Sequence, residues 1–234
     1  MTQPQPIPDL DAVDPTVFLK PTPFLQSDAP EVIKFVERVV GDAHNDVERG
    51  IRLFYAVRDE ILYDPYRVGR TEDAFKAVTV LRDGFAFCIP KSNLLAAAAR
   101  AAGIPSAVGF ADVRNHLVTE KLREAMSGKD DFIYHGYTVL KLGGKWVKAT
   151  PAFNLSLCQK FNVLPLEFDG RTDALMHPYD AQNNRHMEYL NDRGIFADYP
   201  YQEVMDAFQA YYPNWLSDQP EIEGNFESEK PIVP

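Results

Sequence analysis

Two cysteines and five histidines are the residues of this 234-residue chain best suited to nucleophilic or acid–base chemistry. Cys88 sits in GFAFCIPKSNLLAAAARAAGIP, just ahead of Leu94–Ala102, the most regular helical stretch of the sequence. Ile89 precedes a proline and is biased away from helical backbone, so Pro90 is the expected first helical residue. Gly103 and Pro105 suit the helix end. Cys88 is then expected just off a helix N-terminus, beside N–H groups without helical partners and the positive end of the dipole. That setting lowers a thiol pKa below its usual ~8.5 and supplies donors to an oxyanion. The same residue also fits a small buried hydrophobe between Phe85, Phe87 and Ile89. Cys158, after the stretch NLSL that reads as irregular, has no such context and is expected to be inert.

A thiol nucleophile needs a base. His44, in GDAHND, and His177, before a proline, have the context of ordinary loop residues. His177, His186 and Glu188 would be the members of a metal site, but no H-E-x-x-H or paired-cysteine spacing accompanies them, so no metal or cofactor is expected. His116 follows Asn115 at a strand end and suits a supporting role. His135 differs, because it lies inside the strand-like run YHGYTVLKL, where an ionisable side chain is uncommon. It is either a hydrogen-bonded core histidine or a base.

The elements that must position this pair follow from periodicity. Ser27 or Asp28 caps a helix carrying Ile33, Val36 and Val40; a second carries Val47, Ile51, Phe54, Val57 and Ile61. Strands follow at Ser106–Val113, Phe132–Leu142 and Lys145–Thr150, the last two joined through Gly143-Gly144 as a two-residue hairpin. A last helix covers Tyr201 to Tyr211. Helices first and an antiparallel sheet afterwards predict an α+β fold. The hairpin sets Leu142 opposite Lys145 and, by continuation, Tyr137 opposite Thr150 and His135 opposite Ala152. Thr150 and Asn154 become the diagonal neighbours of His135, at ~7–8 Å between Cα atoms. Either side chain suits the third role of a thiol–imidazole site, fixing the tautomer of the ring.

Composition narrows the rest. With 45% hydrophobic residues the chain can bury a sizeable core, and a net charge of −10 without a basic run argues against nucleic acid and anionic membranes. No apolar run approaches the ~18 residues of a spanning helix. The start, MTQPQPIPDLDAVDP, lacks the features of a secretory signal, so a cytoplasmic protein with two unbridged thiols is expected. Seven of the 18 prolines fall in the first 30 residues. Residues 1–27 are therefore an extended, wrapping segment, 28–212 one domain, and 213–234 an acidic, proline-containing tail.

The order of these features resembles the transglutaminase-like superfamily of papain-type thiol enzymes. Cys88 opens an alanine-rich helix ended by AGIP, His135 enters a strand as H-G-Y, and G-G-K-W-V forms the return strand; the likeness spans roughly residues 30–155. It implies a nucleophile helix packed on an antiparallel sheet, with Cys88 as nucleophile and His135 as base. A peptide, protein or small-molecule amide is the implied substrate, hydrolysed or passed to an amine through an acyl-enzyme. The chain departs from the family where an Asp is usual, four residues after Trp146, and has Thr150 there. Thr150 by position, Asn154 by chemistry and Asp169 from a later segment are the candidates to orient the imidazole. A binding module that keeps the fold after its site has decayed is the alternative.

Overall fold

The computed structural model describes residues 4–115, 118–175, 187–214 and 226–229. Helix α1 (Pro30–Val40) starts on a proline with Ala29 as its N-cap, so neither Ser27 nor Asp28 caps it. Its buried stripe is Val32, Phe35 and Val36, and Ile33 is 41% exposed. Two stripes overlap in this sequence, and the larger apolar payload of Phe35 decides which one turns inward. Helix α2 (Asp46–Glu60) begins as a reciprocal cap. Asn45 accepts from the Glu48 amide at 3.0 Å, and Glu48 accepts from the His44 amide at 2.9 Å.

Strand β1 (Leu62–Tyr63), helix α3 (Ala77–Asp83) and strand β2 (Phe85–Ala86) follow, with β1 and β2 paired in parallel. This short sheet delivers the chain to α4 (Cys88–Ala101), buried at every residue from Cys88 to Arg100. The helix begins at Cys88 and not at Pro90. The first turn needs no N–H from its residues, so a proline at the third position is accommodated.

Beyond α4 come β3 (Ser106–Asn115), α5 (Glu120–Ala125), β4 (Asp131–Leu142), β5 (Lys145–Ala149), α6 (Leu155–Phe161), β6 (Met187–Phe196) and α7 (Tyr201–Tyr211). The four longer strands form an antiparallel sheet in the order β5-β4-β3-β6. This is the α+β arrangement expected, with α4 packed on the sheet. Thr138 pins the two together by donating its hydroxyl to the Ser92 carbonyl at 2.9 Å.

The hairpin has the expected register, Leu142 opposite Lys145 through Thr138 opposite Ala149, around two glycines at φ +56° and +82°. Positive φ at both positions is what a two-residue turn of this hand demands. The ladder stops there. Thr150, held before Pro151, gives its amide to the Ala174 carbonyl at 2.8 Å, so the continued pairs Tyr137–Thr150 and His135–Ala152 do not form. The stretch around Cys158, expected to be irregular, is helix α6, and β6 is a strand that the sequence reading did not contain.

The proline-rich start packs against the rest of the chain and includes a short 3-10 turn at Pro15–Leu19. Ile7 donates its amide to the Ile195 carbonyl at 2.7 Å, and Phe18 and Leu25 are fully buried in the common core. Among the described residues no helix is long and apolar enough to cross a membrane, and the two cysteines are not joined.

Candidate active site

Cys88 is the first residue of α4, with Phe87 in extended backbone before it. The amides of Gly136, Ile89 and Cys88 itself direct hydrogen bonds at the sulfur. Two come from the free first turn of the helix, and the third reaches across from β4. They favour the thiolate, but burial outweighs them and pushes the thiol up to about 11. The depressed pKa expected from the helix start is therefore reversed in this closed site.

The approach of β4 depends on a missing side chain. A Cβ on Gly136 would lie 2.9 Å from the Ile89 Cα and 3.3 Å from the Cys88 carbonyl oxygen. Glycine in the H-G-Y motif thus lets the strand lie flush on the start of the helix. It sets the residue before it, His135, beside the cysteine. Both line one cavity of about 10 Å³, the room of about one water molecule.

His135 follows a break in the strand. β3 and β4 pair as Ala111 with His135 but Val113 with Phe132, so Ile133 and Tyr134 together face Asp112. Tyr134 holds φ +53°, a left-handed value uncommon for a residue with a large side chain. This bulge resets the alternation of the strand. Phe132, Ile133 and His135 all reach the cavity, which a regular strand, with neighbours on opposite faces, does not allow.

Of the expected orienters, Asn154 and Asp169 are hydrogen-bonded elsewhere. Thr150 is buried, and its hydroxyl makes no hydrogen bond among the described residues. Asn154 accepts from the Tyr63 amide at 2.9 Å and donates to Ser156 and Glu227 at 2.7 and 2.8 Å. It ties three segments together behind Tyr63. Asp169 is exposed and closes its own turn on the Arg171 and Thr172 amides, both at 2.8 Å. His116, His177 and His186 lie outside the described residues, and Glu188 stands on β6. Among the described residues no group of three His, Cys, Asp or Glu is placed to hold a metal ion.

Aromatic side chains from distant segments wall the cavity: Tyr63 from β1, Phe87 before α4, Phe132 from β4, and Phe208 and Tyr212 at the end of α7. Tyr212 is fixed to one strand by two hydrogen bonds, accepting from the Ile133 amide at 2.8 Å and donating to the Asp131 carbonyl at 2.5 Å. Burial raises the pKa of Tyr63 and Tyr212, so both stay neutral phenols. Sequence reasoning missed these walls and the bulge. Tyr134 beside His135 gave no signal, whereas Gly136 and an Asp in the apolar run SAVGFADV did.

The family model of the transglutaminase-like superfamily matches residues 33–151, which contain Cys88, the bulge, His135 and the hairpin. Solved structures that resemble the chain include a “Putative Cysteine Protease” from Cytophaga hutchinsonii, 16% identical with a TM-score of 0.45, over 81% of this chain and 57% of that one. A “Putative Protease” from Parabacteroides distasonis is 18% identical with a TM-score of 0.36, over 50% of this chain and 22% of that one. The chain thus spans little more than half the length of the first of these. No curated protein matches it in sequence. With half of its residues, and both members of the candidate pair, inside the match, the chain belongs to the transglutaminase-like superfamily.

Proposed function

We propose that the protein is a cysteine-dependent amide hydrolase or acyltransferase, with Cys88 as nucleophile and His135 as base. The observation that carries this reading is the shared cavity: the sulfur receives the amide of Gly136, and the residue before that glycine is His135. In the first half-reaction His135 takes the thiol proton as Sγ attacks the acyl carbon. The Cys88 amide, one of the free N–H groups of the helix start, holds the developing oxyanion. The proton returns to the leaving amine. Water or a primary amine then resolves the thioester by the same steps in reverse.

The substrate is a peptide, protein or small amide whose acyl end enters between aromatic walls. A cavity of about 10 Å³ admits no acyl group as it stands, so entry parts those walls. Once water and substrate enter, desolvation falls and the three amides act on the sulfur unopposed. We place the protein in the cytoplasm, with no nucleic-acid or membrane partner. A decayed binding module is the second reading, favoured by the raised thiol and by the unbonded hydroxyl of Thr150 where the family usually has Asp.

The test is a panel of amide, peptide and ester substrates, with and without a primary amine, read by intact mass for an acyl adduct on Cys88. The enzyme reading expects turnover that disappears in Cys88→Ser and in His135→Ala. Wild type and Cys88→Ser equally silent across the panel would leave the binding module.

A further inference from the structure

We propose that Asp112 is the positioning residue of the site: tied down by Arg193, it holds the left-handed bulge at Tyr134 that turns His135 toward Cys88. The inference rests on the reading of Cys88 and His135 as nucleophile and base. It assigns the orienting task, left without a carboxylate at position 150, to an acidic residue on a different strand. Asp112 does this through the backbone.

Two irregularities meet at Asp112. On one side β4 bulges, with Ile133 and Tyr134 facing this single residue. On the other side β6 shifts register twice, between Phe110 and Ala111 and again between Asp112 and Val113. Arg193 is the residue left over at the first shift, and Gly194 after it holds φ +97°. Bulges on both flanks of a central strand at the same level weaken the ladder where the site needs accuracy.

Side chains replace the lost ladder bonds. The Asp112 carboxylate accepts the Tyr134 amide at 3.1 Å. The same carboxylate takes the Arg193 guanidinium through Nε at 2.9 and 3.0 Å and through Nη2 at 2.7 Å. A fork of this kind fixes direction as well as distance. The guanidinium carbon also lies 4.9 Å from the centre of the Tyr134 ring, and the Tyr134 hydroxyl donates to Glu203 of α7 at 2.8 Å. The backbone and the ring of the strained residue are therefore both held from β6, β3 and α7.

Asp112 is 7% exposed, so water competes poorly for its hydrogen bond to the Tyr134 amide. A left-handed non-glycine residue persists only where its surroundings hold it, and such strain gathers at functional sites. Without the carboxylate, Tyr134 relaxes toward ordinary strand angles, and His135, the next residue, turns with it.

The experiment is the rate of Cys88 alkylation by iodoacetamide against pH in the full chain, which needs no substrate. Base assistance appears as a limb that His135→Ala removes, below the thiolate limb of the buried sulfur. Asp112→Ala is expected to lower that limb about 10–100-fold, the usual effect of displacing a catalytic group by about 1 Å. Glycine adopts positive φ without cost, so Asp112→Ala with Tyr134→Gly is expected to recover to within about threefold of wild type. A structural role alone would lower the melting temperature and leave the limb in place; that result, or a lost limb that Tyr134→Gly does not restore, overturns the proposal. If Asp112→Ala does not fold, Arg193→Met carries the same test with the same rescue, and an unchanged limb overturns the proposal again. Identical profiles for wild type and His135→Ala would instead refute the nucleophile–base reading, and the positioning role with it. A limb that depends on His135 but not on Asp112 refutes the positioning role alone.

Discussion

Cys88 and Cys158 occupy two buried regions in which burial drives the thiol to the same value, about 11, yet different groups face the two sulfurs. At Cys88 the groups aimed at sulfur are donors, three backbone amides that a thiolate would accept. At Cys158 the sulfur lies 3.9 Å from the Phe153 carbonyl, to which its S–H donates. The cations near it, Arg58 and Lys91, lower its pKa from a distance, Asp59 opposes them, and its own amide adds one donor. Equal resting pKa values thus conceal unequal responses to solvent. Relief of burial leaves three backbone amides facing the sulfur at Cys88, and at Cys158 one amide with two more distant cations partly offset by Asp59. Position at a helix start, and not the thiol's resting acidity, separates the two.

The contrast is broken most directly by labelling. Iodoacetamide at neutral pH, followed by peptide mapping, is expected to modify Cys88 at least about tenfold faster than Cys158, because opening of the site leaves amide donors on the attacking thiolate. Equal rates, or faster labelling of Cys158, would erase the distinction. Raised thiol pKa values also carry a sign for stability. Both groups favour folding fully below the unfolded thiol pKa of ~8.5, and that contribution is lost as pH rises toward about 11.

Gly136→Ala attacks the same contrast from the sheet. Its Cβ would press on the Ile89 backbone, which cannot swing aside as a side-chain tip can. Overpacking of this kind costs about 1–3 kcal/mol, and urea unfolding should show it. The new methyl also pushes the β4 amide off the sulfur. Labelling of Cys88 in Gly136→Ala should therefore fall toward the rate of Cys158. A variant as stable as wild type, with undiminished preference for Cys88, would show that the close approach is dispensable.

The sequence carried those features that local rules decide. The Gly143-Gly144 turn, the strand register up to Ala149 and the helix Tyr201–Tyr211 follow from periodicity and positive φ. That Cys88 and His135 would come to one place followed from motif order, and both line one cavity. What was lost lies where tertiary contacts overrule a local rule. Thr150 should continue the ladder by alternation, but the chain around Ala174 captures its amide. The bulge at Tyr134 depends on Asp112 and Arg193, 22 and 59 residues away in sequence, and the residues beside Tyr134 do not say which strand positions it meets. The pKa of Cys88 was misjudged because a helix start is legible in sequence and the closure of aromatic walls over it is not.

Lys91, fully buried on α4, sharpens the comparison. Its ammonium donates to the carbonyls of Arg58, at 2.9 Å, and Ile61, where α2 ends. Burial pulls its pKa down to about 7, against ~10.4 when unfolded. The unfolded chain therefore binds the extra proton between these values, so stability rises with pH from about 7 upward and is lost as pH falls through about 7. Lys91→Met should remove this rise between pH ~7 and ~8.5, where the thiols do not yet oppose it, and cost about 1–3 kcal/mol for two abandoned carbonyls. Lys91 lowers the Cys158 pKa and is not among the influences on Cys88. The variant should therefore slow labelling of Cys158 further and leave the pH profile of Cys88 in place. An unchanged pH dependence of stability would show that this lysine is solvated in the folded state.

The smallest effect is expected at Thr150, where the family's usual carboxylate is missing. Its hydroxyl is buried and makes no hydrogen bond among the described residues, while its amide is satisfied by Ala174. A buried polar group without a partner carries a desolvation cost that a methyl group of the same shape does not. Thr150→Val keeps the β-branched shape and removes that cost, so stability should be unchanged or rise by about 1 kcal/mol in urea unfolding. If the imidazole is directed by the bulge and not by residue 150, the His135-dependent limb of Cys88 alkylation should match wild type within about twofold. A valine that abolishes this limb while the protein stays folded would restore Thr150 to the catalytic set, and would mean that its hydroxyl finds His135 once the site opens.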